Sequence, residues 1–111
     1  MKYGEIWTVV FTGSVGHEFA KDRPALIIES DNQLKIDNVI TIMPLTSKNK
    51  NFCDDIIIAK SDLNNLYCDS VLKVHHIQSF DRSRFIRKIG VVENEVMDKI
   101  KQYLKKHFGI I

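Results

Sequence analysis

The feature that most constrains the fold is a series of short apolar, β-branched runs separated by turn residues. Runs of this length, bounded by Gly, Pro, Asn, Asp and Ser, are typical of β-strands. The predicted strands are Glu5–Phe11, Ala25–Glu29, which Arg23-Pro24 opens, Asn38–Leu45, Asp55–Ala59, Ser70–His75 and Arg87–Val92. Because strands and helices do not alternate, we expect a mainly β (α+β) fold, a small antiparallel barrel rather than a doubly wound sheet.

Sustained helical periodicity is confined to the C-terminal segment, from Asn94 to His107. The apolar positions with helical spacing are Val96, Met97, Ile100, Tyr103, Leu104 and Phe108, and Gly109 follows as a stop signal. This pattern predicts one long helix that packs on the sheet by one face. Elsewhere, Ser30–Gln33 is predicted to be a turn, and Ser61 is predicted to cap one short helical turn.

Size and charge limit the functions that the chain can have. Its 111 residues, 44% of them hydrophobic, suffice for one core, so residues 1–111 are predicted to form a single domain. Sixteen Lys and Arg against 14 Asp and Glu give a net charge of only +2, so any nucleic-acid site must be a local patch. No leader-like start or membrane-spanning apolar run is apparent, so we expect a cytoplasmic protein without membrane contact.

The two cysteines, Cys53 and Cys68, do not form a recognisable metal or disulfide pattern. They lie fifteen positions apart, without a CxxC pair or a further Cys/His cluster at zinc spacing. We therefore predict two reduced thiols, no structural or catalytic metal and no cofactor.

A polar segment from Thr12 to Asp22, which contains Gly13 and Gly16, separates the first two predicted strands. It has no sustained period, and eleven residues are long for a hairpin connection. Long loops inside small domains are usually functional or mobile, so this loop is a candidate part of a site.

Six short motifs follow one another along nearly the whole chain. They are Gly4-Glu5-Ile6-Trp7, Val15-Gly16-His17-Glu18, Arg23-Pro24-Ala25-Leu26-Ile27-Ile28, Pro44-Leu45-Thr46-Ser47, Asp69-Ser70-Val71 and Met97-Asp98-Lys99. In order and spacing they resemble the MazF/PemK toxins, also called mRNA interferases. The resemblance implies an SH3-like barrel with a C-terminal helix that works as a homodimer and cleaves single-stranded RNA at short motifs. It also implies a cognate antitoxin as partner, with DNA contacted only indirectly through that antitoxin.

Metal-independent RNA cleavage needs a base for the 2′-hydroxyl proton, donors for the charge on the phosphorane oxygens and an acid for the leaving 5′-oxygen. By resemblance, Arg23 matches the Arg-Pro motif, and its planar fork can clamp two phosphate oxygens. Thr46 matches the family threonine, whose hydroxyl could donate to a non-bridging oxygen. Glu18 matches the loop glutamate that could orient Arg23 or act as base. The simpler alternatives are an arginine paired with Glu18 or Asp22 and an ordinary Thr-Ser turn.

The sequence departs from the family pattern in the predicted fifth strand. Many relatives carry an acidic residue, a glutamine and then an arginine where this chain has His75-His76-Ile77-Gln78. Gln78 cannot supply a cation, and Lys73 stands where one branch has an arginine with a bidentate fork. Because adjacent strand residues point to opposite faces, at most one of the two histidines can serve in acid–base catalysis, and His75 is our candidate. A histidine satisfied by backbone groups is an equally good explanation.

RNA is expected to bind in a local basic groove, with an aromatic residue available to stack on bases. The predicted RNA-binding residues are His17, Phe19, Lys21, Ser47, Lys48, Lys73, His76, Gln78 and Arg84, with Lys50 and Arg82 as further cations. Trp7 is expected in the core, and Lys105 and Lys106 are expected to complement the helix dipole.

Two functions from other classes stay open. One is a non-nuclease toxin of the same fold that binds DNA gyrase, and the other is a noncatalytic SH3-like module that binds RNA or protein. A gyrase-binding toxin would depend on apolar and aromatic residues near its C-terminus, and the chain ends Phe108-Gly109-Ile110-Ile111. The combination of Arg23-Pro24 with Thr46-Ser47 favours the ribonuclease.

Overall fold

A computed structural model of the protein describes residues 1–11, 22–47 and 54–111. In these ranges a seven-stranded sheet is followed by one long helix. The strands are β1 (Glu5–Val10), β2 (Asp22–Ile27), β3 (Val39–Thr46), β4 (Ile56–Ile58), β5 (Ser70–Leu72), β6 (Gln78–Asp81) and β7 (Phe85–Val91); the helices are α1 (Asp31–Leu34) and α2 (Asn94–His107). The strand pairings are antiparallel. The expected mainly β fold with a C-terminal helix is confirmed.

The sheet order is β4-β5-β3-β2-β1-β7, and β6 also pairs with β3. Strand β3 therefore has two partners along one edge: its end, Leu45 and Thr46, pairs with β5, and Val39–Ile42 pairs with β6. Pro44 lies between these two sections, and its carbonyl accepts the Lys73 N–H at 3.0 Å. Because proline has no N–H to donate, the ladder is interrupted where the chain crosses from β5 to β6.

Alternating side chains divide the core into two clusters on opposite faces of the sheet. The helix-side cluster includes Ile6, Leu26, Met43, Leu45, Ile56, Leu72, Val74, Met97, Ile100 and Tyr103, and so contains the buried face of α2. The second cluster includes Val9, Phe11, Ala25, Ile27, Ile40, Ile42 and Phe85, with Trp7 packed against it. Consecutive residues on β2 or β3 therefore face different core clusters.

The fifth strand is shorter than predicted. It ends at Leu72 rather than at His75, and the next residues form a turn in which the His76 N–H donates to the Lys73 carbonyl at 3.0 Å. The prediction that His75 and His76 alternate on a strand is therefore wrong, because both lie beyond the strand. The interruption at Pro44 accounts for this early end.

Three further elements differ from the sequence predictions. Six strands were expected, but Gln78–Asp81 forms an additional strand on β3, and β7 starts at Phe85 rather than at Arg87. The predicted turn at Ser30–Gln33 is the start of α1, where the Ser30 hydroxyl caps the helix by accepting the Gln33 N–H at 3.3 Å. The turn predicted after Ser61 is confirmed by a hydrogen bond from Asn65 N–H to the Ser61 carbonyl at 2.8 Å.

The predicted loop from Thr12 to Asp22 lies outside the described residues except for Asp22, which begins β2. Cys53 also lies outside them, whereas Cys68 is described and is not in a disulfide. None of the helices in the described ranges has the length and apolar character needed to cross a membrane.

Candidate active site

Arg23 and Thr46 lie at neighbouring ends of two paired strands. Ala25 on β2 pairs with Pro44 on β3, and the same register two residues further along leads to Arg23 and Thr46. Both residues lie an even number of positions from members of the second cluster, Ala25 and Ile42, so both belong to that face of the sheet. The two residues that the sequence singled out thus lie on one face of the sheet, at neighbouring ends of β2 and β3.

Arg23 and Thr46 differ in the exposure of their side chains. Arg23, which also pairs with Val9 on β1, is half-buried, whereas Thr46 is only 6% exposed and lies opposite Val71 on β5. Ser47, the next residue, is exposed. A phosphate placed against this end of β3 could therefore meet a partly accessible arginine fork, a largely buried threonine residue and a solvent-facing serine.

Gln78 shares this face from a third strand. It is the first residue of β6 and pairs with Ile42, a member of the second cluster. Since cross-strand partners point to the same face, Gln78 is on the side of the sheet that carries Arg23 and Thr46. Thr46 lies four positions after Ile42 on β3, so Gln78 could meet a neighbouring nucleotide rather than the same phosphate.

Lys73 makes a buried ion pair. Its Nζ lies 2.9 Å from Oδ2 of Asp55, and the two side chains are 10% and 0% exposed. Ile56 pairs with Leu72, so Asp55 and Lys73 are the next facing residues beyond the ends of β4 and β5. The described contact of Lys73 is thus with a carboxylate, and its contact with RNA stays a prediction.

His75 lies on the other side of the sheet. Its Nδ1 is 3.2 Å from the hydroxyl of Tyr103, and its Nε2 is 3.7 Å from Oδ2 of Asp54. Tyr103 belongs to the helix-side cluster, whose face is opposite to that of Arg23 and Thr46. The structure therefore does not bring His75 together with the other predicted catalytic residues that it describes. His76 is half-buried in the turn that follows Lys73.

The surroundings of His75 also contain a cavity of about 430 Å³. It is lined by Asp54, Ile56, Lys99, Gln102, Tyr103 and Lys106. Burial raises the pKa of the Tyr103 hydroxyl above its usual range, and the charge of Asp54 contributes in the same direction. A phenol with a raised pKa stays protonated at neutral pH, so Tyr103 serves this region as a hydrogen-bonding group.

The two arginines that precede β7 have different contacts. Arg82 donates to the carbonyls of Leu34 and Asp37, which fastens α1 to the sheet. Arg84 donates to the Val10 carbonyl at 3.4 Å, and its guanidinium lies 5.3 Å from the centroid of the Phe80 ring. A stacked guanidinium retains edges for a phosphate or a base, so Arg84 is the better RNA-binding candidate of the pair.

Several predicted site residues belong to the two ranges that the structure does not describe. His17, Glu18, Phe19, Lys21 and Lys48, together with Lys50, lie outside the described residues. The predicted base, Glu18, and the predicted base-stacking residue, Phe19, therefore stay sequence predictions. Within residues 1–11, 22–47 and 54–111, no three His, Cys, Asp or Glu side chains gather as metal ligands.

The sequence analysis did not identify two residues that contact predicted site residues: Asp55, which contacts Lys73, and Tyr103, which contacts His75. Asp55 was included only as the start of a strand, and its partnership with Lys73 follows from the pairing of β4 with β5. Tyr103 was included only as a core residue of the helix, although its hydroxyl contacts His75 and His107. For Asp55, the available sequence signal was the polar Asp54-Asp55 pair before an apolar run. No sequence signal indicated the polar contacts of Tyr103.

Comparison with known proteins identifies the family. The model of PemK-like, MazF-like toxins of type II toxin–antitoxin systems matches residues 2–108, so the chain belongs to this toxin family. Endoribonuclease MazF9 of Mycobacterium tuberculosis (strain ATCC 25618 / H37Rv) is 26% identical over 115 residues, covering 99% of this chain and 98% of that protein.

Solved structures show the same fold. The crystal structure of MazF from Deinococcus radiodurans superposes with a TM-score of 0.81 at 23% identity, covering 98% of this chain and 96% of that one. An endoribonuclease from a mycobacterial species, solved in complex with its cognate antitoxin, gives a TM-score of 0.79 at 16% identity and covers 100% and 97% of the two chains. The expected barrel with a C-terminal helix is thus the architecture of MazF toxins.

Proposed function

We propose that this toxin is a sequence-specific endoribonuclease that cleaves single-stranded RNA without a metal ion. The observation that carries the proposal is the placement of Arg23 and Thr46 at neighbouring ends of β2 and β3, on one face of the sheet. The family match and the endoribonuclease name of the mycobacterial relative support the same activity.

The proposed reaction is an internal transfer at phosphorus. The ribose 2′-oxygen loses its proton to a base and attacks the adjacent phosphorus, and the bond to the 5′-oxygen breaks as that oxygen gains a proton. The products carry a 2′,3′-cyclic phosphate and a 5′-hydroxyl. Arg23 would clamp two phosphate oxygens, and Thr46 would donate to a non-bridging oxygen whose negative charge grows in the transition state.

The sequence supplies Glu18 as the candidate base, with His17 as a further proton-transfer or base-stacking group. Gln78, Ser47 and Arg84 would bind flanking nucleotides through their amide, hydroxyl and guanidinium groups. We leave His75 out of the proposed reaction because its described contacts are on the helix side. The proposal includes a homodimer and a cognate antitoxin as partner.

The test is cleavage of a long single-stranded RNA by the purified protein in the presence of EDTA, with cut sites mapped and RNA ends identified. Discrete cuts with 2′,3′-cyclic phosphate ends are expected, and they should vanish with Arg23→Ala. Arg87→Ala is the matched control, because Arg87 is exposed on β7 and lies outside the proposed site. Intact RNA at high protein concentration, or cleavage only when a divalent metal is added, would refute the proposal.

A further inference from the structure

We propose that Lys73 and Asp55 are positioning residues, whose buried ion pair holds β5 against the end of β3 and so orients the Thr46 hydroxyl. This inference rests on the proposed function for the role of Thr46, but the ion pair and its effect on the strands are testable without RNA. It assigns Lys73 a different task from the phosphate contact that its sequence position implies.

The ammonium of Lys73 and the carboxylate of Asp55 are paired inside the protein. Nζ and Oδ2 are 2.9 Å apart, and the Asp55 side chain is fully buried. Taking the ammonium away would leave an uncompensated carboxylate inside the protein, which is strongly unfavourable. A phosphate bound in the proposed site would have to compete with this carboxylate for Lys73.

Three consecutive residues of β5 and its extension contact the last three residues of β3. Val71 pairs with Thr46, Leu72 pairs with Leu45, and the Lys73 N–H donates to the Pro44 carbonyl at 3.0 Å. Lys73 is therefore the last attachment of this segment to β3 before the chain turns toward β6. A displacement of Lys73 would therefore also displace β5, whose Val71 pairs with Thr46.

The short length of β4 and β5 explains why the Lys73–Asp55 side-chain contact matters at the end of β5. Strand β4, with three residues, is its neighbour, and β5 itself also has three residues. Strands this short contribute few ladder hydrogen bonds, so their ends are weakly held. The Asp55 carboxylate reaches across from the start of β4 and fastens the end of β5 on the face that carries Thr46.

The consequence for catalysis is a specific kinetic signature. A threonine hydroxyl misplaced by about 1 Å from its phosphate oxygen can lower the rate of the chemical step by about 100-fold. Loss of a positioning contact should lower kcat more than it raises KM, whereas loss of a phosphate contact in the ground state should raise KM. Substitution of either Lys73 or Asp55 should lower kcat more than it raises KM.

The experiment compares Lys73→Met, Asp55→Asn and the double variant with wild type. Lys88→Met is the control, since Lys88 pairs with Glu5 at 3.0 Å between β7 and β1 and is half-exposed. Amide hydrogen exchange at Leu45, Thr46, Val71 and Leu72 and the urea midpoint are measured first. Each single variant should accelerate exchange at these four amides by about tenfold or more. The double variant should lose less than the sum of the single losses, and the control should leave the four amides unchanged.

Kinetics and binding complete the test. Both single variants should lower kcat for RNA cleavage by about 10- to 100-fold. Binding to a 2′-O-methylated single-stranded RNA, which cannot undergo 2′-hydroxyl attack, should keep its salt dependence. A direct phosphate contact would instead make the slope of log affinity against log salt shallower by about 0.7 in Lys73→Met. That result, or an unaffected Asp55→Asn variant, would overturn the proposal.

If wild-type protein does not cut RNA, the proposed function fails. The exchange and urea measurements still decide whether the ion pair holds β5 on β3, because they need no substrate. Additive losses in the urea midpoint, or unchanged exchange at Thr46 in both single variants, would overturn the positioning role.

Discussion

The hydroxyl oxygen of Tyr103 lies 3.2 Å from Nδ1 of His75. The same oxygen is 3.0 Å from Nδ1 of His107, one turn further along α2. A hydroxyl has one proton, so Tyr103 can donate to only one of these imidazoles, and the other must donate its Nδ1–H to the tyrosine oxygen. His75 is in this way attached to the C-terminal helix, on the face opposite to Arg23.

The first prediction concerns this histidine. His75→Ala should retain RNA cleavage to within about threefold while lowering the free energy of unfolding by about 1 kcal/mol, because a hydrogen bond of ordinary strength is lost. The measurements are the cleavage rate and a urea unfolding curve. A general acid or base would cost about 10²- to 10⁴-fold in rate, so a loss of that size in a folded variant would restore His75 to the catalytic set.

The second prediction concerns the buried carboxylate of Glu5. Burial alone would raise its pKa, but hydrogen bonds from the Trp7 indole at 2.9 Å, from Lys88, and from the Lys2 N–H at 2.9 Å outweigh this effect and hold the pKa below its ordinary value of 4.5. A lowered pKa in the folded state stabilises the protein above the unfolded value. This contribution is lost as the pH falls below 4.5 and through the folded pKa.

Urea unfolding at a series of pH values from neutral to acidic measures this effect. The free energy of unfolding should fall with acidification in wild type and fall less steeply in Glu5→Gln, which has no carboxylate to protonate at this position. Identical slopes for the two proteins would contradict the assignment.

The third prediction tests the contact between β7 and the segment before β5. A Cβ added at Gly90 would overlap the backbone carbonyl of Asn64, and Asn65 Nδ2 donates to the Ile89 carbonyl beside it at 3.1 Å. Since backbone on both sides must move, Gly90→Ala should cost about 3 kcal/mol of unfolding free energy. Gly109→Ala is the control, because its Cβ would meet nothing within 4 Å, although its φ of +66° favours glycine. Equal losses in the two variants would contradict the close approach at Gly90.

The elements that local patterns determine were predicted best. Helix α2 begins at Asn94 and ends at His107, as its apolar spacing and terminal charges indicated. Strand β6 was missed because its exposed residues alternate with half-buried ones and it has no run of apolar residues. It is a strand because β3 offers an edge to it, and that edge is a property of the assembled sheet.

In the candidate site, too, local motifs predicted some residues, whereas the contacts of others depend on the assembled sheet. Arg23 and Thr46 were found because each belongs to a short motif, and the register of β2 and β3 then brings the motifs together. The ion pair of Lys73 with Asp55 depends on the pairing of β4 with β5 across eighteen positions of sequence, which no local pattern encodes. The position of His75 depends on the interruption at Pro44, whose effect on a neighbouring strand requires the topology.

The last prediction isolates the hydroxyl of Thr46. Valine has nearly the same shape as threonine, and Thr46 is only 6% exposed, so Thr46→Val should preserve the packing against Val71 while removing the donor. Loss of one donor to a developing oxyanion typically lowers kcat by about 100-fold or more, so we expect a loss of that size. Thr46→Ser keeps the hydroxyl and should retain kcat to within about tenfold, although the missing methyl loosens the packing. Single-turnover cleavage of a mapped RNA site, with the urea midpoint measured for each variant, separates the chemical effect from a loss of folding. Equal rates for the valine and serine variants would remove the Thr46 hydroxyl from the proposed reaction.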